Sequence, residues 1–475
     1  MRDKPKNNQS EKNGKRIVHD RQGTGYELVS KLSEGGQGIV CRTQFPNVLV
    51  KVTRFPPGDQ RADAWYKHLQ WVSRLPLDEL KIARPLTLIV KPRPGYVMEL
   101  MDGLVPLQML LGESIKSVDE GKGLVGFIES GGLSRRLRLL TGLARTLAEL
   151  HGRGLAYGDL APGNVFVSHS NEHSEVWLID CDNISQLSRA GGQKIYTPDY
   201  GAPEIVRGES GIDSLTDSWS FAVIAFQLLT LQHPLKGDLV NDGEPEEEER
   251  ALRGELPWID DPEDEVNRTT RGLPRDLVLT KPLRSLFQQC FGPGLNEPEM
   301  RPSLMEWRSA LEAAAALLLQ CTEGDGCGSS FYINTARQCP FCDRIQSDTE
   351  SLFMQHYLYA PPTEEDNAES VLVNPWIKTG YGLVLSREPI ELRASPVGTI
   401  TYPDSDPVCS LEIKDDGLWI EPMGGNAVAL QSQSRNKTEI LKKRMRLNDT
   451  SRRGDSYMLH LADSADTHYA WHFKW

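Results

Sequence analysis

The sequence predicts an α+β fold class, in which a two-lobed unit is followed by a small cysteine knuckle and a C-terminal all-β, sandwich-like domain. Strand-like apolar alternation dominates the first lobe, and helical periodicity dominates the second. Four of the eight cysteines then fall within residues 321–342. The C-terminal part consists of short apolar runs separated by Gly, Pro, Asp and Ser. A length of 475 residues fits about three such units.

The unit boundaries are placed where the composition changes. Residues 1–24 are polar and Lys-rich, so we predict a disordered tail there. The Pro/acidic run PPTEEDNAES predicts a linker at 346–370. The other predicted units are the two-lobed domain at 25–320, with its lobes at 25–102 and 103–320, the cysteine knuckle at 321–345 and the β-rich domain at 371–475.

Composition and charge exclude several classes of function. Lys and Arg number 53 against 66 Asp and Glu, and this net charge of −13 disfavours a nucleic-acid partner. The longest apolar stretches are shorter than the roughly 20 residues that a membrane-spanning helix needs. The N-terminus lacks the apolar centre of a secretory signal. We therefore expect a cytoplasmic protein that binds neither membrane nor nucleic acid, and no disulfide framework.

A glycine-rich segment and a lysine in an apolar strand predict a phosphate site. In LSEGGQGIV, Gly35 and Gly38 lie between two predicted strands, where glycine lets backbone N–H groups approach a polyphosphate. This segment alone is equally typical of an ordinary hairpin. Lys51 follows in the apolar strand NVLVKV, where a buried ammonium needs an anionic partner.

Three polar residues follow at the ends of later strands. Asp159 and Asn164 lie five positions apart in AYGDLAPGNVFV, and Asp180 ends the strand VWLID. An aspartate can orient an attacking hydroxyl and accept its proton. Amide and carboxylate oxygens are ligands for Mg²⁺.

In this order the residues resemble the protein kinases, over about residues 26–320. The resemblance implies that the glycine loop, with Ser33 at its first glycine position, covers the phosphates of ATP. It implies that Lys51 pairs with those phosphates and that Asp159 is the catalytic base. Asn164 and Asp180 would hold Mg²⁺.

Further motifs match the same family independently. The segment TPDYGAPE, from Thr197 to Glu204, resembles the substrate-binding end of an activation segment. Asp217 stands at the position of the aspartate that braces the catalytic loop, and Arg301 at that of the partner of Glu204. The resemblance gives three candidate phosphorylation sites in the activation segment, Ser185, Ser188 and Thr197.

The segment VMELMDG resembles the hinge of the kinases. Met98 would be the gatekeeper, and the backbone near Glu99 and Met101 would face adenine. Val40 and Val50 would enclose the adenine ring. Without its neighbours, this segment also fits an ordinary strand and turn.

Two motifs depart from the kinase pattern. Tyr157 and Gly158 precede Asp159 where His-Arg is usual, so the arginine that senses a phosphorylated activation loop is missing. Asp180 is followed by Cys181 and Asp182 instead of Phe-Gly. The metal ligand is kept, but the residues that control its movement are changed.

The helix predicted at 61–75 should supply a glutamate for Lys51, yet the register places His68 there, and Asp63 lies more than one turn earlier. Even so, we favour an active Ser/Thr protein kinase acting on a protein substrate, because the lysine, the base and both metal ligands are present. A nucleotide-binding pseudokinase scaffold is the first alternative. A small-molecule kinase is the second, and TPDYGAPE disfavours it.

The altered motifs, LFQQCF and the cysteines after residue 320 resemble a bacterial Ser/Thr kinase family with a C-terminal zinc knuckle. Some relatives in that family carry a helix-hairpin-helix DNA module, which this sequence lacks. Others are encoded beside metal-dependent phosphatases and von Willebrand-type proteins in stress-resistance clusters. The resemblance therefore implies bacterial signalling, with a phosphatase or von Willebrand-type protein as partner.

The cysteines predict a structural zinc site. Cys339 and Cys342 form a C-x-x-C turn, whose two thiolates can reach one tetrahedral Zn²⁺, and Cys321 and Cys327 lie upstream. A reducible pair, or three cysteines completed by His356, are the alternatives.

The C-terminal domain vaguely resembles the forkhead-associated sandwiches, which read phosphothreonine. Two short glycine-containing segments fit loosely, Gly424-Gly425-Asn426 and Gly454-Asp455, but SPVGTI lacks the arginine of the anion site. We therefore favour a sandwich for protein contact without phosphate reading. Four aromatic residues are predicted to be core and not a ligand cage, namely Trp419, Trp471, Phe473 and Trp475.

Overall fold

A computed structural model describes most of the chain, and none of its helices is both long and apolar enough to cross a membrane. Met101 and Ser188, two residues of the predicted site, lie outside the described residues. The described ranges are 16–35, 38–99, 102–122, 124–187, 195–321, 326–347, 351–361, 374–393, 406–452, 454–462 and 466–475.

The first lobe is a closed six-stranded barrel in the order β1-β2-β3-β4-β6-β5 with one helix, α1, against it. Side chains alternate along β4, so Val50 and Val52 fill the barrel interior while Leu49 and Lys51 face outward toward the second lobe. The elements are β1 Ile17–Asp20, β2 Gly25–Glu34, β3 Gly38–Thr43, β4 Val48–Thr53, α1 Gln60–Val72, β5 Thr87–Lys91 and β6 Gly95–Glu99.

The prediction of a tail up to residue 24 is wrong from Ile17 onward. Strand β1 pairs with both β2 and β5 and so closes the barrel. Val18 enters the barrel interior, and the buried carboxylate of Asp20 accepts hydrogen bonds from the following turn. A strand with only two apolar residues is too short to stand out from a polar sequence, because its stability comes from its neighbours.

The second lobe is mainly helical. Helix α6 follows the N-cap residue Asp213, which forms a capping box, and the helix is buried on almost every side because the other helices surround it. The elements are β7 Leu104–Pro106, α2 Leu107–Asp119, α3 Val125–Glu129, α4 Gly132–Gly152, β8 Leu155–Ala156, β9 Val165–Ser168, β10 Val176–Leu178, β11 Ser185–Gln186, α5 Pro203–Val206, α6 Ser214–Thr230, α7 Asp238–Asn241, α8 Pro245–Leu252, α9 Arg275–Val278, α10 Lys281–Phe291 and α11 Leu304–Ala315.

The C-terminal all-β prediction is confirmed, because two sheets share one hydrophobic core. Their strand orders are β15-β14-β23-β22-β19-β20 and β16-β17-β18-β21. A hairpin of β12 and β13 in the cysteine knuckle precedes them. The strands are β12 Leu318–Gln320, β13 Ser330–Tyr332, β14 Leu352–Tyr359, β15 Trp376–Leu385, β16 Ile390–Arg393, β17 Pro407–Lys414, β18 Gly417–Pro422, β19 Val428–Ser432, β20 Lys437–Leu441, β21 Met445–Asn448, β22 Ser456–His460 and β23 His468–Lys474.

Three of the four predicted core aromatics, Trp471, Phe473 and Trp475, are buried in the sandwich. Trp419 is a correction: it is half-buried on the outer face of β18. Its ring lies under the Arg444 guanidinium, 4.2 Å from ring centroid to Cζ. The strand alternates, and Leu418 and Ile420 take the inward positions beside it.

The predicted linker at 346–370 is also wrong in part. Strand β14 lies within it, at an interior position of the six-stranded sheet, hydrogen-bonded to β15 and β23. The β-rich domain therefore begins at Leu352 and not at residue 371. The Pro/acidic run just after the strand dominated the composition of this stretch and hid the alternation of LFMQHYLY.

Replacing Met354 by Ala should lower the free energy of unfolding by about 2–5 kcal/mol, because its fully buried side chain fills the sandwich core. Phe353→Ala is the matched control, since that side chain is 36% exposed on the opposite face of the same strand. Urea unfolding followed by tryptophan fluorescence measures both. Equal small effects of the two changes would contradict the placement of β14.

Candidate functional site

The glycine-rich segment forms the hairpin of β2 and β3. Ser33 pairs with Val40, and the Gly35 N–H donates to the carbonyl oxygen of Gly38 at 3.0 Å. A Cβ on Gly38 would lie 2.8 Å from a backbone oxygen of β4 and 3.1 Å from Cε of Lys51. Glycine is therefore required there for the hairpin to lie across the lysine.

Lys51 lies between two carboxylates of the second lobe. Its side chain is 5% exposed, and Nζ contacts Asp180 Oδ1 and lies 3.0 Å from Asp182 Oδ1. Burial alone would lower the pKa of Lys51, but the two carboxylates outweigh it and raise this pKa above its ordinary value. The lysine is thus a fixed cation that joins the two lobes.

The two carboxylates differ in their surroundings. Asp182 is fully buried and accepts a hydrogen bond from Trp65 Nε1 at 2.7 Å, whereas the Asp180 side chain is 20% exposed. Burial and the charge of Asp182 raise the pKa of Asp180 to about 7, although Lys51 opposes this. For Asp182 burial is outweighed by Lys51 and the hydrogen bonds, so its pKa is lowered.

The two residues of helix α1 that the sequence suggested for the lysine, Asp63 and His68, lie in other surroundings. Asp63 is exposed, and the ring of His68 lies 5.3 Å from that of Trp71. Trp65, one turn before His68, is the residue of α1 that faces the site. Trp65 could not be chosen from local spacing, because its partner Asp182 lies far along the chain.

The loop residues that precede Asp159 are held by Asp217 from helix α6. Its carboxylate accepts the N–H groups of Tyr157 at 2.6 Å and Gly158 at 3.0 Å, and contacts His151 Nε2 at 2.9 Å. The Tyr157 hydroxyl in turn accepts the N–H of Asp180 at 3.1 Å. A tyrosine at the usual histidine position thus joins the loop to the Asp180 segment.

Asp159, the candidate base, is held from two sides. Thr197 Oγ1 donates to its Oδ1 at 2.7 Å, and Asn164 Nδ2 donates to its backbone oxygen at 2.8 Å. Burial raises the pKa of Asp159, and the Thr197 hydroxyl partly opposes this.

The segment that carries Thr197 is anchored by a buried ion pair. Glu204 and Arg301 form two parallel hydrogen bonds of 2.8 Å each, and the guanidinium lies over the ring of Trp219. The helix α5 that bears Glu204 is thereby fixed to the body of the second lobe.

The apolar side of the cleft differs from the sequence prediction at one residue. Val40 and Met98 belong to the hydrophobic cluster that continues into the second lobe, but Val50 points into the barrel. Leu49, opposite Met98 in the strand register, takes the expected position of Val50. Side chains on one strand face share an even spacing, and Lys51 and Leu49 are two residues apart. Glu99 ends β6 and is exposed.

Of the candidate phosphorylation sites, Ser185 lies in β11 and pairs with Ala156, and its Oγ is buried. The Thr197 hydroxyl is hydrogen-bonded to Asp159. Both side chains are part of the folded site and neither is an exposed acceptor.

Asn164 and Asp180 fit a divalent cation by their chemistry. Asp180 is the partly exposed carboxylate of the cleft. Burial first, and then the charge of Asp182, raise its pKa, and a cation would offset that charge. Asn164 adds an amide to this donor set, and its Nδ2 is already engaged with the loop backbone.

The four knuckle cysteines converge on one point. Their sulfurs lie within 4.8 Å of one another, with Sγ–Sγ distances of 3.6 Å for Cys321–Cys342 and Cys327–Cys339. Tetrahedral thiolates at 2.3 Å from zinc would be about 3.8 Å apart, whereas a disulfide needs about 2.05 Å. The alternative ligand His356 is buried in the sandwich, with Nδ1 2.8 Å from Thr379 Oγ1.

The loose forkhead-associated motif is not brought together. Asn426 follows β18 and donates to the carbonyl oxygen of Met423, whereas Asp455 precedes β22 and accepts from Ser432 Oγ. Since β18 and β21 are antiparallel, these two loops lie at opposite ends of their sheet. Arg393, at the end of β16, pairs with Pro407, whose carbonyl oxygen lies 3.5 Å from Asn426 Nδ2.

Comparison with known proteins agrees with this geometry. Residues 126–310 match the family model described as the protein kinase domain. Serine/threonine-protein kinase Pkn1 of Myxococcus xanthus is 29% identical over 45% of this chain and 30% of its own length. Serine/threonine-protein kinase pkn2 of the same organism is 33% identical over 25% of this chain and 15% of its own length. Serine/threonine-protein kinase 17A of Oryctolagus cuniculus is 25% identical over 38% of this chain and 45% of its own length.

The range matched by the family model lies within the second lobe. The chain spans less than a third of the length of the two Myxococcus relatives. Residues 126–310 are thus similar to the protein kinase domain, and these relatives are Ser/Thr protein kinases of bacterial and animal origin. The barrel, the cysteine knuckle and the β-rich domain rest on the structure.

Gly158→Ala should destabilise the protein more than Gly154→Ala, which is its matched control. Both glycines have positive φ, +77° and +74°, so each change costs about 1–2 kcal/mol of backbone strain. At Gly158 the new Cβ would also lie 2.9 Å from Ile212 Cδ1 and 3.1 Å from a backbone oxygen, adding about 1–3 kcal/mol. Equal free energies of unfolding in urea would contradict this packing of the catalytic loop.

Proposed function

We propose that this chain is a Ser/Thr protein kinase that transfers the γ-phosphoryl group of Mg·ATP to a protein hydroxyl. The observation that carries the proposal is the convergence of Lys51, Asp180, Asp159 and Thr197 at one cleft between the lobes. The kinase-domain match covers the second lobe, which supplies three of these four residues.

Each residue has a separate role in the proposed reaction. ATP supplies the phosphoryl group and Mg²⁺ offsets its charge. Asp159 orients the substrate hydroxyl and accepts its proton, and its raised pKa makes it a better proton acceptor than an exposed carboxylate. Lys51 binds phosphate oxygens, and Asn164 and Asp180 would hold the metal.

A protein substrate is favoured over a small molecule by the segment from Thr197 to Glu204. This segment lies beside the base, and the Glu204–Arg301 pair fixes its far end. An extended substrate could dock on such a rigid edge. We assign the kinase to bacterial signalling in the cytoplasm, where all eight cysteines would stay free thiols or metal ligands. A phosphatase or von Willebrand-type partner rests on the sequence resemblance alone.

The proposal also includes a structural zinc ion on the four knuckle cysteines and a protein-contact role for the β-rich domain. The knuckle packs on both neighbours: Tyr332 donates to the carbonyl oxygen of Val278 in the second lobe, and Val384 of β15 joins the cysteine cluster. Zinc there would hold the kinase domain and the sandwich together.

The purified protein should incorporate labelled γ-phosphate from Mg·ATP into itself or a generic basic protein substrate. Asp159→Asn should lower the rate about 10²- to 10⁴-fold, because the base is lost. Asp63→Asn is the matched control, since this exposed carboxylate lies outside the site, and it should leave the rate unchanged.

Equal rates for Asp159→Asn and the wild type would contradict the assignment of the base. Binding of ATP without any transfer by the wild type would instead favour the pseudokinase scaffold.

Metal analysis of the purified protein should find about one zinc per chain. Cys339→Ser should lose it, because a buried ligand of the tetrahedral site is removed. Cys41→Ser, a change at a thiol of the barrel far from the knuckle, should keep the metal. Inductively coupled plasma mass spectrometry measures both, and a zinc-free wild type purified without chelator would contradict the site.

A further inference from the structure

Helix α1 has no carboxylate at the lysine. Its one acidic residue, Asp63, is exposed, and the side chain that faces the site is the indole of Trp65. The kinase pattern pairs the strand lysine with a glutamate of this helix. In this chain the lysine therefore needs another anion to fix its position.

Asp182 has the geometry of that missing partner. Its Oδ1 and Oδ2 lie 3.0 Å and 2.9 Å from Nζ of Lys51, and its Oδ2 also accepts the Trp65 N–H at 2.7 Å. A glycine, the usual residue at this position of the motif, could make none of these contacts. The carboxylate and its partners are buried, so the ion pair is little weakened by solvent.

We propose that Asp182 is the positioning carboxylate of Lys51 and that Trp65 links it to helix α1, replacing a helix glutamate. This inference rests on the proposed kinase function. Two chemical roles are thereby divided between neighbours: Asp182 holds the lysine, and Asp180 is free to hold metal.

The division gives each of the two aspartates a separate task. In the absence of metal, Lys51 contacts Asp180 as well as Asp182. When Asp180 turns to a cation, Asp182 still holds the ammonium at the cleft. Without Asp182, the lysine could pair only with Asp180 and would compete with the metal for it.

The hydrogen bond from Trp65 couples this pair to the position of α1. The indole is packed by the fully buried Tyr96, with ring centroids 6.2 Å apart. An outward movement of α1 would remove the indole donor and leave Asp182 with an unmet hydrogen-bond site. The helix thus still controls the lysine, but through two links instead of one.

A residue exchange tests the inference. Asp182→Asn keeps the shape of the side chain and removes its charge. It should lower kcat/KM about 10²-fold, because Lys51 is held less firmly. It should also raise the Mg²⁺ concentration needed for half-maximal rate, because Lys51 then competes with the metal for Asp180. Asp182→Gly should behave similarly. Adding Trp65→Glu to Asp182→Gly restores a helix carboxylate and should recover most of the rate, whereas Trp65→Glu alone should not raise it.

A second readout keeps the test independent of transfer. The rise in Tm caused by Mg and a non-hydrolysable ATP analogue should shrink in Asp182→Asn and Asp182→Gly and recover in the double variant. Asp63→Asn should match the wild type in both readouts.

The inference would be overturned if Asp182→Asn had the same rate and the same rise in Tm as the wild type. It would also be overturned if the double variant folded well but was no better than Asp182→Gly in both readouts. If the double variant does not fold, Asp182→Asn decides alone. A wild type that shows no transfer but keeps this pattern of Tm rises would overturn the proposed function and leave the Asp182 assignment standing.

Discussion

The structure depends on one buried ammonium, that of Lys51, which lies between Asp180 and Asp182. Leaving a lysine uncompensated in a protein interior costs several kcal/mol, so the strand that carries it and the segment that carries the aspartates must meet. The strand belongs to the barrel and the segment to the helical lobe. The ion pair therefore fixes the position of one lobe against the other, and with it the cleft.

The remaining polar contacts position Asp159 and Asp180 around this ion pair. Asp217 supports the catalytic loop through its backbone N–H groups, and Tyr157 passes that support to Asp180. Thr197 holds the carboxylate of Asp159, and Asn164 holds its backbone oxygen. The site is built mainly from backbone and short side-chain contacts, so it is preorganised without an arginine that reads a phosphorylated loop.

Much of the site could be predicted from local spacing, because a loop residue keeps its place relative to the strand before it. The positions of Asp159, Asn164 and Asp180 follow from this. Contacts between residues far apart in the sequence could not be predicted. The indole N–H of Trp65, for example, donates to Asp182, which lies far along the chain. The prediction of Val50 was wrong for a different reason. Side chains alternate along a strand, so the residue on the same face as Lys51 is Leu49, and Val50 points the opposite way. The predicted domain boundaries were wrong where a short strand, such as β1, is stabilised by the strands beside it and not by its own sequence.

The most direct test of this account is a crystal structure of the wild-type protein with Mg²⁺ and a non-hydrolysable ATP analogue. In that structure we expect Lys51 to remain paired with Asp182 and to contact a phosphate. Asp180 leaves the lysine for the metal, and the Trp65 hydrogen bond is kept. A bound nucleotide with Lys51 turned away from Asp182, or with Asp182 on the metal in place of Asp180, would contradict it.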